Sequence, residues 1–126
     1  MEVFAGLDLG GTTVQAALAG LDGRILAERT TPTLSHEGPQ AVLARMARLV
    51  TDLSAQLAVR PAACGVGVPG LLDLAQGVSK FLPNFPTHWV DVPVRDMLAS
   101  LIGCPVYLLN DVRAATLGEL TFGRGK

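Results

Sequence analysis

The sequence has few of the residues from which metal sites and disulfide frameworks are built. Its 126 residues include two cysteines and two histidines. Cys64 and Cys104 form no C-x-x-C pair, and no histidine lies at a ligand spacing from them, so a zinc site is not indicated. Two buried free thiols in a cytoplasmic protein are the better interpretation.

The sequence also lacks an excess of charge and a long apolar run. The net charge is −1 and the arginines are scattered, which argues against nucleic acid as a partner. No apolar stretch approaches the roughly 20 residues that a membrane-spanning helix needs, and no signal peptide is evident. With 49% hydrophobic residues, the chain is long enough for one globular domain. We therefore expect a cytoplasmic protein that contacts neither nucleic acid nor a membrane.

Local patterns predict an α/β fold that begins with hairpins. The predicted strands are 3–8, 13–19, 25–31, 64–68, 71–73, 78–81 and 106–109, and the predicted helices are 39–57, 93–102 and 111–122. Hairpin strands followed by alternating helices and strands form a sheet of mixed direction. The glycines after the first strand precede another strand, which does not fit a dinucleotide-binding Rossmann unit, and there is no P-loop motif.

The stretch after the first predicted strand has the pattern of a phosphate-binding turn. Asp8 ends the strand, Gly10 and Gly11 follow, and Thr12 and Thr13 add two hydroxyls. Glycine permits a positive φ and close approach of a ligand, and consecutive amides at such a turn bind anions. The acid is placed to hold a metal-bound water or to orient the cation of a phosphate. The same residues also fit an ordinary Gly-Gly hairpin turn, so both interpretations stay open.

A second polar cluster follows the predicted strand 106–109. Asn110 and Asp111 come where the strand ends and the next helix begins, and ligands of α/β sheets collect at the carboxyl ends of strands. A carboxylate there can accept a proton from a substrate hydroxyl while the amide binds a neighbouring hydroxyl. Aspartate is equally a preferred helix N-cap, so capping and catalysis are both supported.

Two further segments are candidates for ligand contact. Gly65, Gly67 and Gly70 lie close together, which suggests close approach of a ligand or another strand, although a glycine-rich strand ending in a Pro-Gly turn explains them as well. The segment 83–89 combines Asn84 and Trp89 with two prolines, as in polar and aromatic loops that line sugar sites. A turn asparagine and a core tryptophan are the plain alternative.

Together these segments resemble the amino-terminal lobe of the ROK family, the glucokinase-like sugar kinases and their repressor relatives within the actin/Hsp70/hexokinase superfamily. Four motifs match in the family's order: Gly6-Leu7-Asp8-Leu9-Gly10-Gly11-Thr12, residues 65–73, Pro83-Asn84 with Trp89, and Leu109-Asn110-Asp111 followed by Ala114-Ala115 and Gly118-Glu119. The resemblance covers the whole chain, so residues 1–126 are interpreted as one amino-terminal lobe.

The resemblance implies both a fold and an activity. The fold is a ribonuclease-H-like α/β lobe whose mixed five-stranded sheet combines a three-stranded antiparallel meander with parallel strands and is flanked by helices. The activity is transfer of the γ-phosphoryl group of ATP, with Mg²⁺, to a hexose, and the favoured acceptor is the 6-hydroxyl of glucose.

The resemblance also implies roles for the motif residues. Asp111 is the general base on the sugar hydroxyl, and Gly70, Asn84 and Asn110 hold other sugar hydroxyls together with it. The residues expected to face the ATP phosphates and Mg²⁺ are Asp8, Gly10, Gly11, Thr12 and Thr13.

Members of the family continue beyond the equivalent of Lys126 into a second lobe that carries the zinc site, the second phosphate motif and the adenosine pocket. We therefore expect this chain to need a carboxy-terminal lobe, to hold no zinc and to be inactive or nearly so alone. Its cleft side is expected to be apolar, which allows a homo-oligomer to form. Two alternatives are a fragment of a ROK transcriptional repressor, which requires a winged-helix segment before Asp8, and a sugar-binding lobe without catalysis.

Overall fold

A computed structural model of the chain describes residues 2–82, 85 and 89–110. Within those residues the strands are β1 (Val3–Leu9), β2 (Thr13–Gly20), β3 (Ile25–Pro32), β4 (Pro61–Val68), β5 (Leu71–Asp73), β6 (Val78–Phe81) and β7 (Val106–Asn110). The helices are α1 (Pro39–Leu57), α2 (Val94–Ile102) and a short 3-10 helix (Ser35–Glu37). The predicted helix 111–122 lies outside the described residues.

Five strands form one mixed sheet in the order β3-β2-β1-β4-β7, and β5 and β6 form a separate antiparallel pair. The first three strands are an antiparallel meander, and β4 and β7 run parallel to β1. The sequence prediction of a mixed α/β sheet with these two parts is therefore confirmed. The carboxyl ends of β1, β4 and β7 meet at one edge of the sheet, which we call the carboxyl edge.

Both long helices pack on the same face of the sheet. The chain moves from β3 through α1 to β4, and from β4 through α2 to β7, in the same direction across the sheet. Because such crossovers are right-handed, they place α1 and α2 on one face, and the two helices contact each other.

The core lies between this face and the helices. Alternate residues of β1 and β4 point into it, as the period of a strand requires. Fully or almost fully buried side chains include Val3, Leu9, Val66, Val68, Leu43, Met46, Val50, Leu53, Val94 and Leu98. Burial of each such side chain stabilises the fold by about 1.5–3 kcal/mol, so this layer holds the carboxyl edge in a fixed shape.

Three local features differ from the sequence predictions. β4 begins at Pro61, before the predicted residue 64, because proline is tolerated as the first residue of a strand. The 3-10 helix precedes α1 in a segment predicted as loop. Leu101, whose spacing from Val94 and Leu98 predicts a core position, is 50% exposed. Among the described residues, no helix is both long and apolar enough to cross a membrane.

Candidate functional site

The carboxyl edge brings together the first and last polar motifs of the sequence. In the parallel register, Asp8 of β1 pairs with Gly67 of β4, and Val68 of β4 pairs with Asn110 of β7. Asp8 is exposed, and its carboxylate makes no hydrogen bond or ion pair to any described residue. A free carboxylate at the end of a central strand is thus available to a ligand or a cation.

The connection between β1 and β2, residues 10–12, is called the glycine turn below. It is closed by a hydrogen bond from the Gly10 amide to the Thr13 carbonyl, at 2.9 Å. Gly11, Thr12 and Thr13 are exposed. The amides of Gly11 and Thr12 have no hydrogen-bond partner within residues 2–82, 85 and 89–110. Two unengaged amides and two exposed hydroxyls beside Asp8 form a set of donors suited to an anion.

Glycine at the turn is required by space rather than by backbone conformation. The positive φ that glycine permits is not used here, because neither Gly10 nor Gly11 adopts one. A Cβ on Gly10 would instead lie 2.8 Å from the Thr13 carbonyl oxygen, closer than real Cβ atoms approach. The residue at position 10 is therefore restricted by the close approach of its own hairpin.

Thr33 supports the glycine turn, and sequence reasoning missed it. Its side chain is fully buried, its Oγ1 donates to the Gly10 carbonyl at 2.7 Å, and its amide donates to the Thr12 carbonyl at 2.8 Å. Arg45 of α1 donates to the Thr33 carbonyl at 2.6 Å and forms an ion pair with Glu37. In the sequence, Thr33 is visible only as a threonine just after a predicted strand. Its partners lie too far along the chain for a local pattern to identify them.

Gly70 lies just beyond β4 at the same edge and is exposed. Its φ of 86° is in the left-handed region, which favours glycine strongly over residues with a side chain. The Pro69-Gly70 pair therefore makes the turn between β4 and β5. This geometry supports the turn interpretation of the Gly-rich segment.

The loop between β6 and α2 is fastened at its two ends by Ser79. The Ser79 hydroxyl is buried, donates to the Trp89 carbonyl and accepts from the Val92 amide at 3.2 Å. The Ser79 backbone adds a bond to the Val92 carbonyl at 3.0 Å and one from the Asp91 amide at 2.6 Å. We call this set of bonds the Ser79 clasp. Residues 83 and 84, which include the candidate sugar contact Asn84, lie between the fastened ends in sequence.

Trp89 is a core residue of this loop. Its side chain is 1% exposed, and its ring meets that of Phe85 edge to face with centroids 5.2 Å apart. Its Nε1 has no hydrogen-bond partner within the described part of the chain. The core-anchor interpretation of Trp89 is therefore supported.

Two oppositely charged side chains reinforce the clasp on the surface. Lys80 Nζ lies 2.5 Å from Asp91 Oδ1, and the hydrogen bond to this carboxylate raises the pKa of Lys80. Asp91 has a φ of 59°, a left-handed conformation that is uncommon for a residue other than glycine. The turn before the clasp is held by Arg95, whose guanidinium donates to the carbonyls of Leu74, Ala75 and Gln76.

The described residues include only part of the predicted site. Asp8, Gly10, Gly11, Thr12 and Thr13 come together at the glycine turn, and Gly70 lies beyond β4 at the same edge. Asn110 is the last residue of β7, at the edge. Asn84 and Asp111 lie outside the described residues. The roles of all the predicted site residues remain predictions.

The acidic residues described offer a limited set of metal ligands. No group of three or more His, Cys, Asp or Glu side chains comes together within the described residues. A single carboxylate such as that of Asp8 is enough to fit Mg²⁺. This ion is often held by one or two carboxylates, with phosphate oxygens and waters completing its shell. Both cysteines are free; Cys64 is buried and Cys104, predicted to be buried, is half-buried.

Comparison with known proteins identifies relatives that are similar to this chain over nearly all of its length. The chain is 40% identical over 121 residues to a glucokinase of Thermotoga maritima, covering 96% of this chain and 37% of that protein. It is 32% identical over 126 residues to a protein of a Caldicellulosiruptor species described as a xylose repressor, covering 96% of this chain and 31% of that protein. It thus spans well under half of the length of these relatives.

A solved structure shares the fold. It is a ROK family glucokinase from Streptomyces griseus in complex with glucose and AMPPNP, with a TM-score of 0.84 and 29% identity, covering 98% of this chain and 38% of that one. The family profile described as the ROK family matches residues 4–126, nearly the whole chain. The chain therefore belongs to the ROK family.

Proposed function

We propose that this chain supplies the amino-terminal half of the active site of an ATP-dependent hexose kinase, with glucose as the substrate and glucose 6-phosphate as the product. The observation that carries the proposal is the arrangement of the carboxyl edge. A carboxylate and two amides without a partner among the described residues lie with two hydroxyls at the end of β1, and the last residue of β7 lies two strands away. The similarity to glucokinases supports the same conclusion.

The proposed mechanism assigns positioning and charge neutralisation to the chain. The Gly11 and Thr12 amides and the Thr12 and Thr13 hydroxyls bind phosphate oxygens, and Asp8 holds Mg²⁺ through its hydration shell or directly. The cation supplies neutralisation of the negative charge on the phosphates. Such electrostatic positioning is the main requirement of phosphoryl transfer.

The proposed acceptor side uses the loops of the same edge. Asn84, Asn110 and Gly70 hold sugar hydroxyls, and Asp111 accepts the proton of the 6-hydroxyl as that oxygen attacks the γ-phosphorus. The bond between the γ-phosphorus and the β–γ bridging oxygen breaks in the same transfer, and ADP leaves with its electron pair. A general base of this kind contributes about 10²–10⁴-fold to the rate. The Ser79 clasp holds both ends of the segment that contains Asn84.

We further propose that residues 1–126 are one lobe and that they turn over ATP little or not at all alone. The chain corresponds to 37–38% of the length of its glucokinase relatives. A cleft between two lobes needs both of them to exclude water and to complete the phosphate contacts. A cytoplasmic location and self-association of the isolated lobe belong to the same proposal, and light scattering tests the latter.

The test is a chimaera in which this chain replaces the matching part of the Thermotoga maritima glucokinase. We expect glucose-dependent ADP formation by the chimaera and none above background by the chain alone. Asp111→Asn should lower kcat about 10²–10⁴-fold. The control is Asp52→Asn, a half-exposed acid of α1, which should keep the rate of the parent. A rate unchanged by Asp111→Asn removes this residue as the base.

A second candidate function is sugar binding without catalysis, because the similarity extends to a repressor. It predicts a folded chimaera that binds glucose in calorimetry and forms no ADP with any hexose. Turnover that depends on Asp111 excludes it.

A further inference from the structure

Two carbonyl groups of the glycine turn accept hydrogen bonds from a single residue, Thr33. Thr33 Oγ1 donates to the Gly10 carbonyl at 2.7 Å, and the Thr33 amide donates to the Thr12 carbonyl at 2.8 Å. Both distances are those of well-formed hydrogen bonds. The Thr33 side chain is 0% exposed, so water does not compete for the Gly10 carbonyl at this point.

This contact fixes the direction of an amide as well as that of a carbonyl. In a trans peptide unit, the C=O of one residue and the N–H of the next lie in one plane and point in opposite directions. The described chain has no cis peptide bond. Since the Gly10 carbonyl points at Thr33, the Gly11 N–H points away from it. That amide is one of the two unengaged donors, and Gly11 is exposed.

Thr33 is itself anchored to the helical layer. The Arg45 guanidinium of α1 donates to the Thr33 carbonyl at 2.6 Å, and the same guanidinium pairs with Glu37 of the 3-10 helix. The side chain of Arg45 is only 22% exposed, so it is held with little freedom. A chain of contacts thus connects the glycine turn through Thr33 to two elements of the helical layer.

We propose that Thr33 is a positioning residue for phosphate binding: by holding the Gly10 carbonyl, its hydroxyl aims the Gly11 amide at the bound phosphate. The inference rests on the proposed function, because it assumes that the glycine turn binds phosphate. In this proposal Thr33 touches neither substrate nor cation. It acts by fixing the orientation of the peptide unit between Gly10 and Gly11. Pre-aimed donors bind more tightly because no reorientation cost accompanies binding.

Three variants separate this role from general stability. Thr33→Val keeps the shape of the side chain and removes the hydroxyl, and Thr33→Ser keeps the hydroxyl. The control is Ser54→Ala, which also removes a buried hydroxyl that donates to a carbonyl, here that of Val50 at 2.7 Å within α1. Thermal unfolding of all variants identifies the temperature range in which each is folded.

The measurement is a titration of the ¹⁵N-labelled chain with Mg·ATP, followed at the amides of Gly11 and Thr12. We expect these signals to shift, and Thr33→Val to weaken binding about tenfold, the effect of one hydrogen bond of ordinary net strength. Thr33→Ser should restore the affinity, and Ser54→Ala should leave it unchanged. Equal affinity in Thr33→Val and Ser54→Ala overturns the proposal.

A second measurement distinguishes failure of this inference from failure of the proposed function. Residual dipolar couplings report the direction of the Gly11 N–H bond without any ligand. We expect the coupling to change in Thr33→Val and to be retained in Thr33→Ser and Ser54→Ala. If Mg·ATP shifts neither amide in the parent chain, phosphate binding at the turn is wrong for this chain, and the inference fails with it. An unchanged coupling in Thr33→Val overturns the inference alone, whatever the affinity of the parent.

Discussion

The hydroxyl of Ser79 donates a hydrogen bond to the carbonyl oxygen of Trp89, ten residues further along the chain. The Ser79 hydroxyl oxygen in turn accepts a hydrogen bond from the Val92 amide at 3.2 Å, so one small side chain joins the end of β6 to the segment before α2. Both partners are buried backbone groups that have to be satisfied inside the protein. Ser79 thereby joins β6 to the segment that leads into α2, and Asn84 lies between these two parts in sequence.

Replacing Ser79 by alanine should open the clasp. The Trp89 carbonyl and the Val92 amide each lose a partner, which should lower the free energy of unfolding by about 1–3 kcal/mol. Trp89 is the single tryptophan of the sequence, so its fluorescence reports the change directly. We expect a red-shifted emission and weaker glucose binding in Ser79→Ala. Ser54→Ala is the matched control, and an identical emission and glucose affinity in the two variants would contradict the role of the clasp.

Alanine at Gly10 should lower the stability of the fold, whereas alanine at Gly65 should not. In Gly10→Ala the new Cβ lies 2.8 Å from the Thr13 carbonyl oxygen, a backbone atom that cannot move without opening the hairpin. We expect a loss of about 1–3 kcal/mol in the free energy of unfolding and weaker Mg·ATP binding. In Gly65→Ala no described atom lies within 4 Å of the Cβ, so denaturant unfolding should show no loss of stability. A fully stable Gly10→Ala would refute the steric account of the turn.

The stability of the fold should decrease at alkaline pH because of Cys64. Burial, followed by the charge of Cys104, raises the pKa of Cys64 to about 12. In the unfolded chain the thiol ionises near pH 8.5, so above this pH the unfolded state binds fewer protons than the folded state. The contribution of the protonated Cys64 thiol to the free energy of unfolding is therefore complete below about pH 8.5. It is lost as the pH rises towards 12, at up to about 1.4 kcal/mol per pH unit.

The variant Cys64→Val removes this group and should flatten the pH dependence between about pH 8.5 and 10 relative to the parent. Cys104→Ser keeps the buried thiol and should keep most of the slope, because burial is the larger cause of the shift. Urea unfolding at a series of pH values measures both. Equal slopes in the parent and Cys64→Val would show that Cys64 does not control this dependence.

Much of the fold follows from local patterns. The Asp22-Gly23 turn, the alternation of β1 and the stripe of α1 are each encoded within a few residues, and they predict the strands, the helix and the mixed sheet. The placement of Asp8 and Asn110 at one edge also follows, because parallel strands deliver their carboxyl ends to the same side. The family resemblance adds an interpretation of these residues as parts of one site.

Other features have no local signature. Leu101 has the spacing of a core residue, yet it is half exposed, since spacing within one helix does not say which other elements cover it. The choice between an ordinary hairpin and an anion-binding turn also could not be made from the dipeptide Gly10-Gly11. It depends on which amides of the turn are already engaged by the rest of the fold.

The sequence by itself determined the order of the elements, the family and the identity of the candidate site residues, because these depend on short patterns and on motifs in a fixed order. The tertiary structure decided what supports those residues. Thr33 reaches Gly10 across 23 positions of the chain, and Ser79 reaches Val92 across 13. Such contacts form only when packing of the helical layer brings distant segments within hydrogen-bond distance, and no pattern of neighbouring residues encodes that distance.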